Sequence, residues 1–150
     1  MTIRGNGLTI STRGELRFIC ERPAIKLDTM QYMLLIYLDE NSLSEAQREQ
    51  CYQDSAGFAR QLHTRRQYVS AAPLYPTSSA KSVRVKNGKT LVTDGPFAET
   101  HEQLGGFFLI EADSIERATE IAGQIPAGKW GTVEVRPVMQ VEGLPKAASA

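Results

Sequence analysis

Between residues 30 and 140 the spacing of apolar positions changes several times, and each change predicts an element. Tyr32-Met33-Leu34-Leu35-Ile36-Tyr37 is a continuous apolar run of strand length. Such a run suits a central strand buried on both faces. Helix-capping residues follow from Asn41 to Ser44. Ser42 with Glu45, and Ser44 with Gln47, both fit the capping-box spacing, in which side chains satisfy the first free N–H groups of a helix. Cys51, Ser55, Phe58 and Leu62 then recur at helical spacing as one buried stripe, and the helix is expected over about 43–66. Gly57 inside it costs about 1 kcal/mol against alanine or marks a close contact.

Tyr68-Val69-Ser70-Ala71 reads as a short strand ended by Pro73 and Pro76. Ser82–Lys86 and Lys89–Thr93 flank Asn87-Gly88, a pair that tolerates positive φ at both positions of a type I′ hairpin turn. Phe107–Ala112 reads as the next strand. Asp113 with Glu116 again has capping-box spacing, and Ile115, Ala118, Ala122 and Ile125 form the apolar face of a second helix stopped by Pro126 and Gly128. In Thr132–Val138, Val133 and Val135 share one face, Glu134 and Arg136 the other.

The order β-α-β, hairpin, β-α-β predicts an α+β fold, a ferredoxin-like split βαβ core with an inserted β-hairpin. Two helices cover one face of its sheet. The other face carries part of a strand too apolar to lie in water, and pairing two such faces across a two-fold axis would cover it. A homodimer is therefore expected.

Residues 1–29 are set apart as an N-terminal extension or arm, 30–143 as the domain and 144–150 as a tail. The first piece holds five basic and three acidic residues, so it is net positive and the remainder net negative. Leu8–Ser11 and Leu16–Cys20 around Gly14 read as a weak hairpin. Met30 is a usable start, which would make 1–29 an extension of the reading frame. Alternatively the arm adds a strand or reaches a partner subunit.

Charge narrows the function classes. Seventeen basic and seventeen acidic residues cancel, so the basic stripe that displaces counterions from nucleic acid is missing, and no nucleic-acid partner is expected. No apolar run approaches the ~20 residues that span a bilayer, and no secretory h-region follows Arg4. A cytoplasmic protein without a membrane partner is the expectation. Cys20 and Cys51 lack metal or C-x-x-C spacing and read as reduced structural thiols. No metal or cofactor is expected.

Candidate chemistry gathers in Asp94–Phe108. Asp94-Gly95-Pro96 is turn chemistry, or else holds a carboxylate at a strand end facing a cleft, where it can orient a histidine or take a proton. His63 is the candidate partner. It shares a helix flank with Tyr52, Ala56 and Ala59, and reads either as a half-buried structural group or as a base oriented by Asp94. Glu99, His101 and Glu102 form a cluster too closely spaced for a metal site of their own; they read as a solvated loop or as ligand contacts. Gly105-Gly106 precedes a strand, whereas a phosphate cradle needs a following helix N-terminus; a bulge or a close backbone approach is expected. Glu134 and Arg136 read as an interface salt bridge or as an anion site.

Asp94-Gly95-Pro96-Phe97 with Glu99, Glu102 and Gly105-Gly106, then Glu134-Val135-Arg136-Pro137, and Tyr32–Tyr37 at the start, together resemble the signature of the YCII-related family, in its DGPF-domain branch. The resemblance covers about residues 31–140. His101 departs from it, because lysine is usual there. The resemblance implies a dimeric α+β barrel. In that wider superfamily a His–Asp pair is proposed as catalytic, and some relatives eliminate HCl from chlorinated aromatics. It thus implies acid–base roles for Asp94 and His63 in elimination or isomerisation of a small organic substrate; Phe97, Glu99, His101, Glu102 and Arg136 are the candidate ligand contacts beside them. Encoding of DGPF proteins near sigma factors implies the alternative, a non-catalytic ligand-sensing or regulatory module associated with transcriptional control. Whether the chain is an enzyme is left open between these two.

Overall fold

The computed structural model describes residues 29–144. The hairpin expected at Leu8–Cys20 and most of the C-terminal tail lie outside the described residues. Eight elements follow in order: β1 (Met30–Leu38), α1 (Glu45–Thr64), β2 (Tyr68–Pro73), β3 (Lys81–Lys86), β4 (Lys89–Asp94), β5 (Gln103–Ala112), α2 (Ile115–Ala122) and β6 (Gly131–Pro137). Short 3-10 turns lie at Thr77–Ser79 and Pro126–Lys129.

Four strands form an antiparallel sheet in the order β2-β5-β1-β6. With a helix between β1 and β2 and another between β5 and β6, this is the expected ferredoxin-like α+β core. β3 and β4 pair only with each other, so the inserted hairpin forms a separate ribbon. Its turn has Asn87 at φ 51° and Gly88 at φ 73°, as a type I′ turn requires.

β1 is central, hydrogen-bonded to β5 on one side and β6 on the other. Tyr32, Leu34 and Ile36 point under the helices and are buried with Phe108 and Ile110 of β5. Phe58 and Leu62 of α1, and Ala118 and Ile121 of α2, close that layer. The Phe58 and Phe108 rings meet edge to face, centroids 5.8 Å apart, a geometry favoured by the aromatic quadrupole. The other face carries Met33, Leu35 and Tyr37 beside Phe107 and Leu109. These five are half-buried, so within one chain only the helix side of β1 is fully covered.

Local chemistry explains the element ends. Ser44 caps α1 reciprocally: its Oγ accepts from the Gln47 N–H at 3.3 Å, and Gln47 Oε1 accepts from the Ser44 N–H at 2.9 Å. The second helix departs from expectation. Ser114, one residue beyond Asp113, is its cap, with Oγ accepting from the Arg117 N–H at 3.1 Å. α2 ends at Ala122, before Pro126, and Ile121 joins the buried face in addition to the expected Ala118 and Ala122.

β5 begins at Gln103, so Gly105-Gly106 lies inside the strand, and both expected glycine roles are present. Against β1, Tyr37 faces Leu104 and Ile36 faces Gly106, which leaves Gly105 as the extra residue of a bulge. At Gly106 a Cβ would stand 2.9 Å from the Ala72 carbonyl oxygen and 3.2 Å from Pro73 Cα, so β2 can approach β5 this closely only at a glycine.

Candidate functional site

The missing Cβ at Gly106 has a second effect. It faces the helix side of the sheet, opposite a run of small residues on α1: Ser55, Ala56 and Ala59. With Ala71 of β2, these leave a cavity of about 340 Å³ between helix and sheet. Phe58 and Leu62, which fill the core elsewhere on α1, do not line it. Ile36, Leu43 and Phe108 supply further apolar wall, and the exposed Pro73 at the end of β2, with Leu74 and Pro76 after it, completes the lining. The volume falls within the ~300–1,000 Å³ of small-molecule sites, which are mainly apolar with a few placed polar groups.

Those polar groups are Glu40 and Arg48 together with Tyr52, Ser55 and Tyr68. Glu40 is held from three sides. Its N–H donates to Gln103 Oε1 at 3.1 Å, its carboxylate accepts from Thr77 N–H at 2.7 Å and Thr77 Oγ1 at 2.9 Å, and its carbonyl accepts from Arg48 Nη2 at 2.9 Å. Cys51 also lines the cavity. Burial pushes its thiol above the ordinary value, against a smaller opposing effect of its hydrogen bond with Ser55. It is therefore a protonated apolar wall group at neutral pH rather than a nucleophile.

A second, shallow and more open depression lies at one end of the uncovered sheet face. Tyr37, Thr100, His101, Glu102, Thr132 and Glu134 line it. Arg136 Nε stands 3.4 Å from Glu134 Oε1, as the alternation along β6 predicts. Partial burial first, and then the negative charge of Glu134, raise the Tyr37 phenol above its ordinary value, with Arg136 opposing. Tyr37 is thus a hydrogen-bond donor at neutral pH beside a carboxylate.

The sequence candidates separate on this geometry. His101, Glu102 and, through Glu134, Arg136 come together at the shallow cleft. Asp94 ends β4 in the separate ribbon, paired with Lys81 across the hairpin, and its side chain is 83% exposed. The turn after it is tied to its own hairpin: Gly95, at φ 93°, donates its N–H to Ala80 O at 2.9 Å, and Ser82 Oγ donates to Gly95 O at 2.9 Å. His63 lies exposed near the end of α1, its ring edge-on to Tyr68 at 6.3 Å. No hydrogen bond joins Asp94 and His63 among the described residues. Phe97, a candidate ligand contact, is 84% exposed. Asp94, His63, Phe97 and Glu99 line neither depression. The helix flank expected to carry His63 divides: Tyr52, Ala56 and Ala59 line the cavity under α1, and His63 does not.

No group of three or more His, Cys, Asp or Glu side chains that could hold a metal ion occurs among the described residues. No helix among them is long and apolar enough to cross a membrane.

Comparison with known proteins agrees with the fold. A YCII-related domain matches residues 30–142. An uncharacterised protein of Rhizobium meliloti (strain 1021) is 38% identical over 117 residues, covering 73% of this chain and 92% of the relative. The family match spans the split βαβ core that carries the cavity and the cleft, and the chain belongs to the YCII-related family.

Proposed function

We propose that the chain is a small-molecule-binding protein whose ligand occupies the cavity between α1 and the β2–β5 part of the sheet. One observation carries this reading: a cavity of about 340 Å³ walled by Ser55, Ala56, Ala59, Ala71 and Gly106, its mainly apolar lining interrupted by a few polar groups. Small side chains along a helix face that could have packed against the sheet leave room that core packing does not use. Binding without catalysis is the better supported class. The cavity has Cys51 held protonated and Glu40 engaged by Thr77, while Asp94 and His63 stand elsewhere. A ligand-sensing role fits such a pocket.

The acid–base alternative has its support at the shallow cleft, where Tyr37, His101, Glu102 and Glu134 meet. A carboxylate beside a protonated phenol can take and return a proton. The sequence Asp94-Gly95-Pro96-Phe97 supports placing the chain in the DGPF-domain branch.

The functional unit is a homodimer in this reading. Met33, Leu35, Phe107 and Leu109 form an apolar patch on the uncovered sheet face. Val83, Val85 and Val92 share one uncovered face of the hairpin ribbon. Contiguous apolar surface of this kind marks association sites.

Thermal-shift screening with small aromatic and aliphatic compounds tests the pocket. Compounds that raise the melting temperature of the native chain should lose that effect in Ala59→Phe, whose ring would occupy the cavity. Stabilisation undiminished in Ala59→Phe would place binding elsewhere.

A further inference from the structure

Arg48 lies near the start of α1, half-buried at the rim of the cavity. Its Nη2 donates to the Glu40 main-chain carbonyl at 2.9 Å. A neutral oxygen is its partner there. Among the described residues no carboxylate comes within the 4.0 Å of an ion pair. The one carboxylate that lines the same cavity, Glu40, spends both oxygens on Thr77. A guanidinium without a counter-ion therefore borders an apolar chamber.

From this we infer that the ligand is an apolar monocarboxylate, its hydrocarbon or aromatic body among Ala56, Ala59 and Ala71 and its carboxylate on Arg48. The inference rests on the pocket reading above. A wholly apolar ligand would strip water from Arg48 and return nothing, which is costly for a charge. A carboxylate returns two parallel charge-assisted hydrogen bonds in the geometry of the guanidinium fork. Glu40 sets the upper limit on charge. Its negative charge at the same cavity already offsets that of Arg48, so dicarboxylates and dianionic phosphates are disfavoured more than a single carboxylate.

Calorimetric titration with naphthalene-2-carboxylate and its neutral carboxamide tests the inference on the full chain. The acid should bind about tenfold or more tighter than the amide, the worth of hydrogen bonds to a charged group. Arg48→Gln should erase that difference, and Arg48→Lys should keep part of it. Should Arg48→Gln fail to fold, the acid–amide comparison on the native chain and on Arg48→Lys still decides. Equal affinity for acid and amide, both lost in Ala59→Phe, would overturn the carboxylate inference and leave the pocket standing. Absence of binding by either at millimolar concentration, or binding unchanged in Ala59→Phe, would overturn both.

Discussion

The Glu40 carboxylate accepts two hydrogen bonds from Thr77, one from its N–H at 2.7 Å and one from its hydroxyl at 2.9 Å, across 37 residues of chain. This contact fastens the 3-10 turn after β2 to the end of β1. It thereby sets Pro73, Leu74 and Pro76 in the cavity lining. Glu40→Ala should cost about 1.5–3 kcal/mol, the range for hydrogen bonds to a charged group, and speed amide exchange at Thr77. Glu40→Gln keeps one acceptor oxygen and should recover part of both. Exchange at Thr77 equal in Glu40→Ala and the native chain would show that the contact does not hold the turn.

Gly106 of β5 and Gly57 of α1 should respond in opposite directions. Gly106→Ala drives a Cβ against the Ala72 and Pro73 backbone and should destabilise by about 1–3 kcal/mol, as overpacking does. Gly57→Ala meets only the flexible end of Arg60 at 3.8 Å and should stabilise by about 0.5–1 kcal/mol through helix propensity. Denaturant titration of both variants measures this; a tolerated Gly106→Ala would mean that β2 and β5 separate easily there.

Cys51 predicts an alkaline loss of stability. Burial raises its thiol in the folded chain above the ordinary 9.0. Below that value both states hold the proton and the full contribution is present. As pH rises past it, the unfolded chain releases its proton first, so stability falls until the folded thiol also ionises. Cys51→Ala should show a shallower decline above pH 9.0 than the native chain. Parallel stability curves would mean the thiol is not desolvated.

Association through the uncovered sheet face is the next prediction. The native chain should scatter light as twice its 16.6 kDa. Leu35→Asp and Leu109→Asp, adjacent on that face through the β1–β5 register, should each give a folded monomer. Burial of an unpaired carboxylate disfavours the pair, while a solvated sheet face tolerates it. Native dimers that persist in both variants would place the interface elsewhere.

The sequence carries its local structure plainly. Alternation along β6, the Asn87-Gly88 turn, the Ser44–Gln47 box and the Cys51–Leu62 stripe are signals within a few residues of each other, and the structure has each of them. Ser114 displaced Asp113 as a cap although only Asp113 has the capping-box spacing, to Glu116; both residue types can cap a helix, and spacing does not settle which one does. The cavity left no such trace. Its walls come from α1, β2 and β5, and it exists because Ala59, Ala71 and Gly106 coincide in space; none has a side chain that suggests chemistry. The one available signal was the run of small residues Ser55-Ala56 with Ala59 on a helix otherwise filled by Phe58 and Leu62. Asp94 and His63 drew attention through residue type, which carries no information about distance across the fold. Tyr37 escaped notice because it closes an apolar run and reads as core.

Alanine-methyl NMR offers the most direct test of the pocket. The chain, labelled at alanine methyls, would be titrated with naphthalene-2-carboxylate. The account predicts saturable shifts at Ala56, Ala59 and Ala71, which line the cavity, with Ala118 beneath α2 as an unshifted internal reference. Shifts absent from those three methyls while the titration still saturates by calorimetry would contradict the account and move the binding site away from α1.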